Sequence, residues 1–372
     1  MRKLSFPGRS NVLAQNGMVA TSNPLSSIEA ISILKRGGNA IDAAIAASAV
    51  QSVVCPSATG VGGDCFAIIA LNGKIPVAVN GSGIAPKKAN LEFFKENKIN
   101  KIGLNSPHSI TIPGSVHAWC SMHEKYGKLD LEEILKGAEN YARNGFPIHE
   151  VEAQAWKEKE GQIYKNKNSR NLFLKNNKSF KFSEIFKNVP LANTLKQIGK
   201  EKIKGFYNSD ITIDMVKSLN ELGGLHTEED FYTQETLFSE TISNLYKNLK
   251  IHQCPLNGPG VIVLLMMALH EKLNTNQFHQ SSFERYHLQA EITKVCYEIK
   301  ETILGDPNFN NINIEKILNI DSIEKLSKKV NINKVYSSDN LYVTSNPETV
   351  YLSVVDRDLN AVSFINSICH GF

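Results

Sequence analysis

No two of the six cysteines are spaced as a metal-binding or redox motif. Cys55, Cys65, Cys120, Cys254, Cys296 and Cys369 are scattered without a CxxC pair, which argues against a zinc site. Several sit in apolar runs, where a free thiol behaves as a small hydrophobe, and this usage suits a reducing compartment. The chain also lacks an apolar run of bilayer-spanning length. VIVLLMMAL at 261–269 is too short and reads as a buried helix. MRKLSFPGRSNVLAQ at the N-terminus carries positive charge but no apolar stretch of signal-peptide length, so the expected location is the cytoplasm, with no membrane partner. Net charge is small, +4 over 372 residues, and no nucleic-acid motif accompanies the lysines. That favours a solvated basic surface over nucleic-acid binding. Global disorder is excluded as well, because a hydrophobic fraction of 42% supports a sizeable core.

What is present reads as layered α and β structure without repeats or a clear linker. PLSSIEAISILKRGGNAIDAAIAASAV, 24–50, predicts two helices broken at Gly37-Gly38. Ser26 or Ser27 is a candidate cap for the first, and Asn39 for the second, with Asp42 near its positive end. The second helix is nearly all Ala and Ile, so it must be buried on most sides. FAIIAL, a turn at Asn72-Gly73 and PVAVN predict a hairpin. GVGGD before it lacks the Lys and Ser/Thr of a phosphate loop, and a strand follows it rather than a helix. Its glycines are read as allowing close backbone approach.

Further on, SITIPGSVHAW, 109–119, predicts a short strand, a turn and a helix start. LDLEEILKGAENYARNGFPI, 129–148, predicts an amphipathic helix closed by Gly145 and Pro147. The Lys- and Asn-rich stretch 157–187 reads as solvated helix and loop. Helical patterns recur at 190–224 and 281–303, LGDPNF at 304–309 is a turn, and 310–334 is polar and peripheral. TVYLSVV then predicts a mostly apolar strand headed by Thr349, with a turn at Asp356 to Asn360. A Thr that opens a buried strand can cleave the peptide bond before it, and then carries a hydroxyl nucleophile and its own amine base.

In order along nearly the whole chain, GMVATSNPLSSIEAISILKRGGNAIDAA, SATGVGGDCF, SGIAP, ITIPGSVHAW, YGKLDLEEIL, NGFPI, GFYNSDI, GGLHTEEDF, LGDPNF and TVYLSVVDRDLNAVSF resemble the γ-glutamyltransferase (γ-glutamyltranspeptidase) family of N-terminal-nucleophile hydrolases. The resemblance implies an α+β fold, a four-layer αββα sandwich, incomplete at its C-terminus here. It implies a precursor that cleaves itself between Glu348 and Thr349. One interwoven domain would comprise a large-subunit region, 1–348, and the start of a small subunit, 349–372. The family's small subunit continues with a Ser-Ser pair and a Gly-Gly oxyanion site, so the sequence is read as truncated. Thr349 is the implied nucleophile, and Ser367 keeps a hydroxyl beside it. The implied activity is that of a self-processing amidohydrolase or acyltransferase forming an acyl-enzyme. Its implied partners are a small-molecule amide, glutathione-like or small and acidic, and its own small subunit after cleavage. No metal or organic cofactor is implied.

Three departures bear on the substrate. Where the family's RETAP-like motif has an Arg that grips the substrate α-carboxylate, this chain has Ser82. A Ser can donate one hydrogen bond but offers no charge and no bidentate fork. Losing that clamp costs roughly 2–5 kcal/mol of recognition for a desolvated pair. The TTH start of the small subunit is Thr349-Val350-Tyr351, which makes Tyr351 a candidate substrate-binding residue. The usual substrate-binding Asn is Cys369, a weaker hydrogen-bonding group. Two glutamate-recognition positions are thus lost together. The expected donor is therefore not a γ-glutamyl compound, with an oxamate-like small acidic amide as one candidate, a γ-glutamyl donor held by other residues, as in a glutathione hydrolase, as an alternative, and a non-catalytic relative as another. Cys369 and His370 are expected to face opposite ways on a strand, as wall residues rather than a dyad. Asp64 is expected either to line the site or to cap a turn.

Overall fold

The computed structural model describes residues 11–310, 312–337 and 349–371. Its centre is a six-stranded antiparallel sheet with a helical layer on one face. The strands are β1 (Gly17–Ala20), β2 (Asp64–Ala70), β3 (Val77–Gly81), β4 (Leu237–Glu240), β7 (Val350–Asp356) and β8 (Ala361–Ser367), in the order β1-β7-β8-β2-β3-β4. The last two strands in sequence therefore lie in the middle of the sheet. Residues 349–371 are woven into one body with the rest. β5 (Ile242–Tyr246) and β6 (Leu249–Gln253) form a separate hairpin.

The helical layer is built on α1 (Pro24–Lys35), α2 (Ala40–Val54), α3 (Ser115–Tyr126), α4 (Leu131–Asn144), α5 (Glu150–Lys165) and α6 (Val189–Glu201). All fifteen residues of α2 are buried, as its Ala-rich composition requires. It runs beneath β7 and β8, with α1 and α4 beside it. Asn39 and Asp42 close a capping box at its start. The first helix is capped by Asn23 instead of Ser26 or Ser27. Pro24 fixes the first helical position, which makes Asn23 the cap. Ser26, one turn inside, donates to the Ala47 carbonyl of α2 at 2.8 Å and so ties the two helices together.

Alternation along the strands divides the two faces of the sheet. Val350, Leu352, Val354, Val362, Phe364, Cys65, Ala67 and Ile69 point into the helical layer and are buried. Each large side chain among them contributes about 1.5–3 kcal/mol by burial. The other face carries Thr349, Tyr351, Ser363, Ser367, Asp64 and Phe66. The loop 254–258 crosses part of it, where the Cys254 thiol donates to the Ala67 carbonyl at 3.5 Å. α7 (Gly260–Lys272) and α8 (Phe283–Ile303) form a second, smaller core with residues 314–330, so the polar segment after 310 does pack on the body.

Two expectations are corrected. Residues 110–114 form no strand. Two separate backbone bonds, Ile112 N–H to the Ile84 carbonyl and Gly114 N–H to the Gly63 carbonyl, reach toward the hairpin, and between them the Pro113 ring has no N–H with which to form a ladder. The stretch 157–187 is not simply solvated, for its aromatics converge with Trp156. The ring centroids of Phe180 and Phe186 lie 5.2 and 5.0 Å from that of Trp156. No helix among the described residues is long and apolar enough to cross a membrane.

Candidate active site

Thr349 stands at the entry to β7, directly opposite Ser367 at the exit of β8. Register places Val350 beside Asn366, so the preceding and following residues meet on the other face. Their hydroxyl oxygens are 3.0 Å apart. Ser367 is opposite Asp64 of β2, and the Cys65–Gly81 pair carries the row on to Ser82. Directly opposed residues in an antiparallel sheet project to the same side. Thr349, Ser367, Asp64 and Ser82 therefore form one polar row across four adjacent strands.

The exit of β8 is sharply bent. Cys369 has φ 65°, its N–H donates to Ser367 Oγ at 2.8 Å, and His370 N–H closes a tight turn on the Ile368 carbonyl at 2.8 Å. This replaces the strand geometry expected for Cys369 and His370. The observed contribution of Cys369 is its backbone, which fixes the Ser367 rotamer, while its thiol is exposed. Packing behind the turn leaves no room to spare. A Cβ on Gly63 would lie 2.0 Å from the Ser367 carbonyl oxygen, so the glycine run serves close approach, as read from the sequence.

The remaining expected residues divide. Tyr351 shares the face of Thr349, but its hydroxyl reaches Ser363 at 3.1 Å, away from the Thr349–Ser367 pair. Glu348 lies outside the described residues. Ser82 is held in a closed polar triad: its hydroxyl donates to Asn80 Oδ1 at 2.7 Å and accepts from Asn257 Nδ2 at 3.2 Å, while Asn80 Nδ2 donates to Asn257 Oδ1 at 3.0 Å. Its single proton is thus already committed. Asp64 stands in the polar row and braces a turn. Its Oδ1 accepts from Gly83 N–H at 2.9 Å, and burial pushes its carboxyl above the usual range, with the Gly83 bond offsetting only part.

Sequence reading missed Asn257 and the residues on the other side of Thr349. There a cavity of about 510 Å³ opens between the start of α1, the segment after α2 and the first turns of α5. Asn23, Ser57, His149, Glu152 and Glu158 line it with Thr349. Glu152 is buried and accepts from both Ser57 N–H, at 3.0 Å, and Ser57 Oγ, at 2.9 Å. No spacing rule links positions 95 residues apart, so nothing in the sequence marks this pair. Among the described residues no group of three or more His, Cys, Asp or Glu side chains is placed to hold a metal ion.

An aligned pair of hydroxyls at the head of a rigid central strand can position one of them for attack on a carbonyl. Comparison with known proteins identifies the family and the fold. The family described as gamma-glutamyltranspeptidase matches residues 26–372. The glutathione hydrolase-like YwrD proenzyme of Bacillus subtilis is 31% identical over 97% of this chain and 68% of its own length. The glutathione hydrolase proenzyme of Escherichia coli is 27% identical over 95% of this chain and 62% of its own. The crystal structure of cephalosporin acylase from Bacillus halodurans superposes with a TM-score of 0.87 at 28% identity, covering 99% of this chain and 69% of that one. The chain thus spans about two thirds of the length of these relatives, and its fold is that of the N-terminal-nucleophile hydrolases. It belongs to the γ-glutamyltranspeptidase family.

Proposed function

We propose that the protein is a self-processing acyltransferase or amidohydrolase in which Thr349 is first the cleaving group and then the catalytic nucleophile. The observation that carries this is the 3.0 Å approach of the Thr349 and Ser367 hydroxyls, with Ser367 fixed by Cys369 N–H. The relatives named as proenzymes support the processing step.

In that step Thr349 Oγ attacks the Glu348 carbonyl carbon. The C–N bond breaks as an ester C–O bond forms, and the nitrogen takes the hydroxyl proton. Water then hydrolyses the ester, leaving Glu348 as a carboxylate and Thr349 with a free α-amine. That amine becomes the base for the second reaction. It takes the Thr349 hydroxyl proton as Oγ attacks the donor amide, and the proton passes to the departing amine. Water or an acceptor amine releases the acyl group from Oγ. Ser367 keeps Oγ in one rotamer through both reactions, which is a gain in orientation.

The donor we propose is a small-molecule amide other than a γ-glutamyl compound. The Ser82 hydroxyl proton is given to Asn80, and no Arg stands at this position to hold an α-carboxylate. The test is turnover of acyl 4-nitroanilides by the full gene product. Thr349-dependent release of 4-nitroaniline is expected. Equal release by T349A, or efficient turnover of glutathione that saturates at low concentration, contradicts one or the other part of the reading.

A further inference from the structure

Asp64 is the one ionisable side chain of the polar row, and the transfer reaction leaves it without a role. It is half-buried on the substrate face, two strands from Thr349. Oδ1 is bonded to Gly83 N–H, and among the described residues nothing bonds Oδ2. Among the described residues no Lys, Arg or His forms an ion pair with it, and the bond its side chain accepts is that from Gly83 N–H. The neighbouring Ser82, Asn80 and Asn257 offer dipoles but no charge. A desolvated carboxylate with one bond and a vacant oxygen gains from an arriving ammonium and is opposed by an arriving carboxylate.

Resting on the transfer reading above, we propose that Asp64 selects acyl donors bearing a primary ammonium at the far end of the acyl chain, and rejects donors with a carboxylate there. Strands lie about 4.8 Å apart, so Asp64 is about 10 Å from Thr349, backbone to backbone. At attack the carbonyl carbon sits about 3 Å from Oγ. A charge-assisted hydrogen bond to Oδ2 spans about 2.8 Å. The remainder, about 4 Å, lies between the reach of three single bonds and that of four, given bond lengths near 1.5 Å. The 4-aminobutanoyl group, with four, covers it when slightly bent, laid over Ser367 with its amine at Asp64. A glutaryl group of similar reach would bring a second carboxylate against the first.

The experiment uses the full gene product with three 4-nitroanilides: 4-aminobutanoyl, pentanoyl and glutaryl. The wild type is expected to favour them in that order by kcat/KM. D64N keeps an oxygen for Gly83 N–H and removes the charge. It is expected to lower the 4-aminobutanoyl to pentanoyl ratio by about 30-fold or more. A wild-type preference for the glutaryl compound overturns the proposal, as does a D64N ratio within about three-fold of wild type. If no anilide is turned over, calorimetric binding of 4-aminobutanamide to T349A decides the matter. Binding that disappears in the T349A/D64N double variant upholds Asp64 while the transfer reading fails. No binding to T349A overturns the Asp64 proposal too.

Discussion

Gly63→Ala probes the link between packing and chemistry at Thr349. The added Cβ would sit 2.0 Å from the Ser367 carbonyl oxygen, 2.7 Å from its carbon and 3.1 Å from Ile368 Cγ2. Two of these are backbone atoms, so no rotamer change relieves the contact. The start of β2 cannot retreat freely, because the Gly63 carbonyl accepts from Gly114 N–H at 3.0 Å and Ser115 N–H at 2.9 Å, where α3 begins. The exit of β8 must therefore move by about 1 Å to restore ordinary contact, at the upper end of overpacking costs, about 3 kcal/mol. Such a shift stretches the 3.0 Å Thr349–Ser367 contact beyond hydrogen-bonding distance. A displacement of that size costs about 100-fold in rate. Gly62→Ala is the control, since nothing lies within 4 Å of its added Cβ. The expected result is a melting temperature about 4 °C lower for G63A, with self-cleavage after cell-free synthesis slowed about 100-fold relative to G62A. Equal melting and equal cleavage of the two variants would refute the reasoning.

Asp356→Ala should destabilise by about 3 kcal/mol, read from denaturant midpoints, because the buried carboxylate accepts from Ala40 N–H, Asp358 N–H, Asn360 N–H and Asn360 Nδ2 at 2.9–3.0 Å. Trp156→Ala should cost about 3–5 kcal/mol in the same assay, and a change under about 1 kcal/mol would return the region to a solvated face. Asp64→Asn should raise stability more at pH 7 than at pH 4. A carboxyl raised by burial binds its proton more tightly in the fold, so stability falls as pH rises from the ordinary aspartate range, about 3.9, through the raised value, and it stays lost above that. An equal gain at both pH values would contradict this sign. A thiol reagent should modify exposed Cys369 first in the native protein. Cys120 and Cys296, buried and both pushed up to about 12, should react only after unfolding.

Local chemistry was readable wherever one residue decides it. Asn39 and Asp42 cap α2 as their spacing requires, and an Ala- and Ile-rich run could only be a buried helix. The Thr-headed strand, the turn after it and the tight approach at the glycine run were legible for the same reason. Longer-range roles were not. Asp356 reads as a turn residue, yet it also holds the N-terminus of α2 from 316 positions away. Ser82 reads as a hydroxyl free to donate, and only the folded chain brings Asn257 beside it and spends its proton on Asn80. The aromatic residues of 157–187 were hidden by the lysines between them, because composition averages over faces that folding separates.

The most direct test of Thr349 is the intact mass of the full gene product beside its T349A variant. The account predicts two fragments from the wild type, the second beginning at Thr349, and one unbroken chain from the variant. An unbroken wild type, or a variant that splits at the same bond, contradicts it.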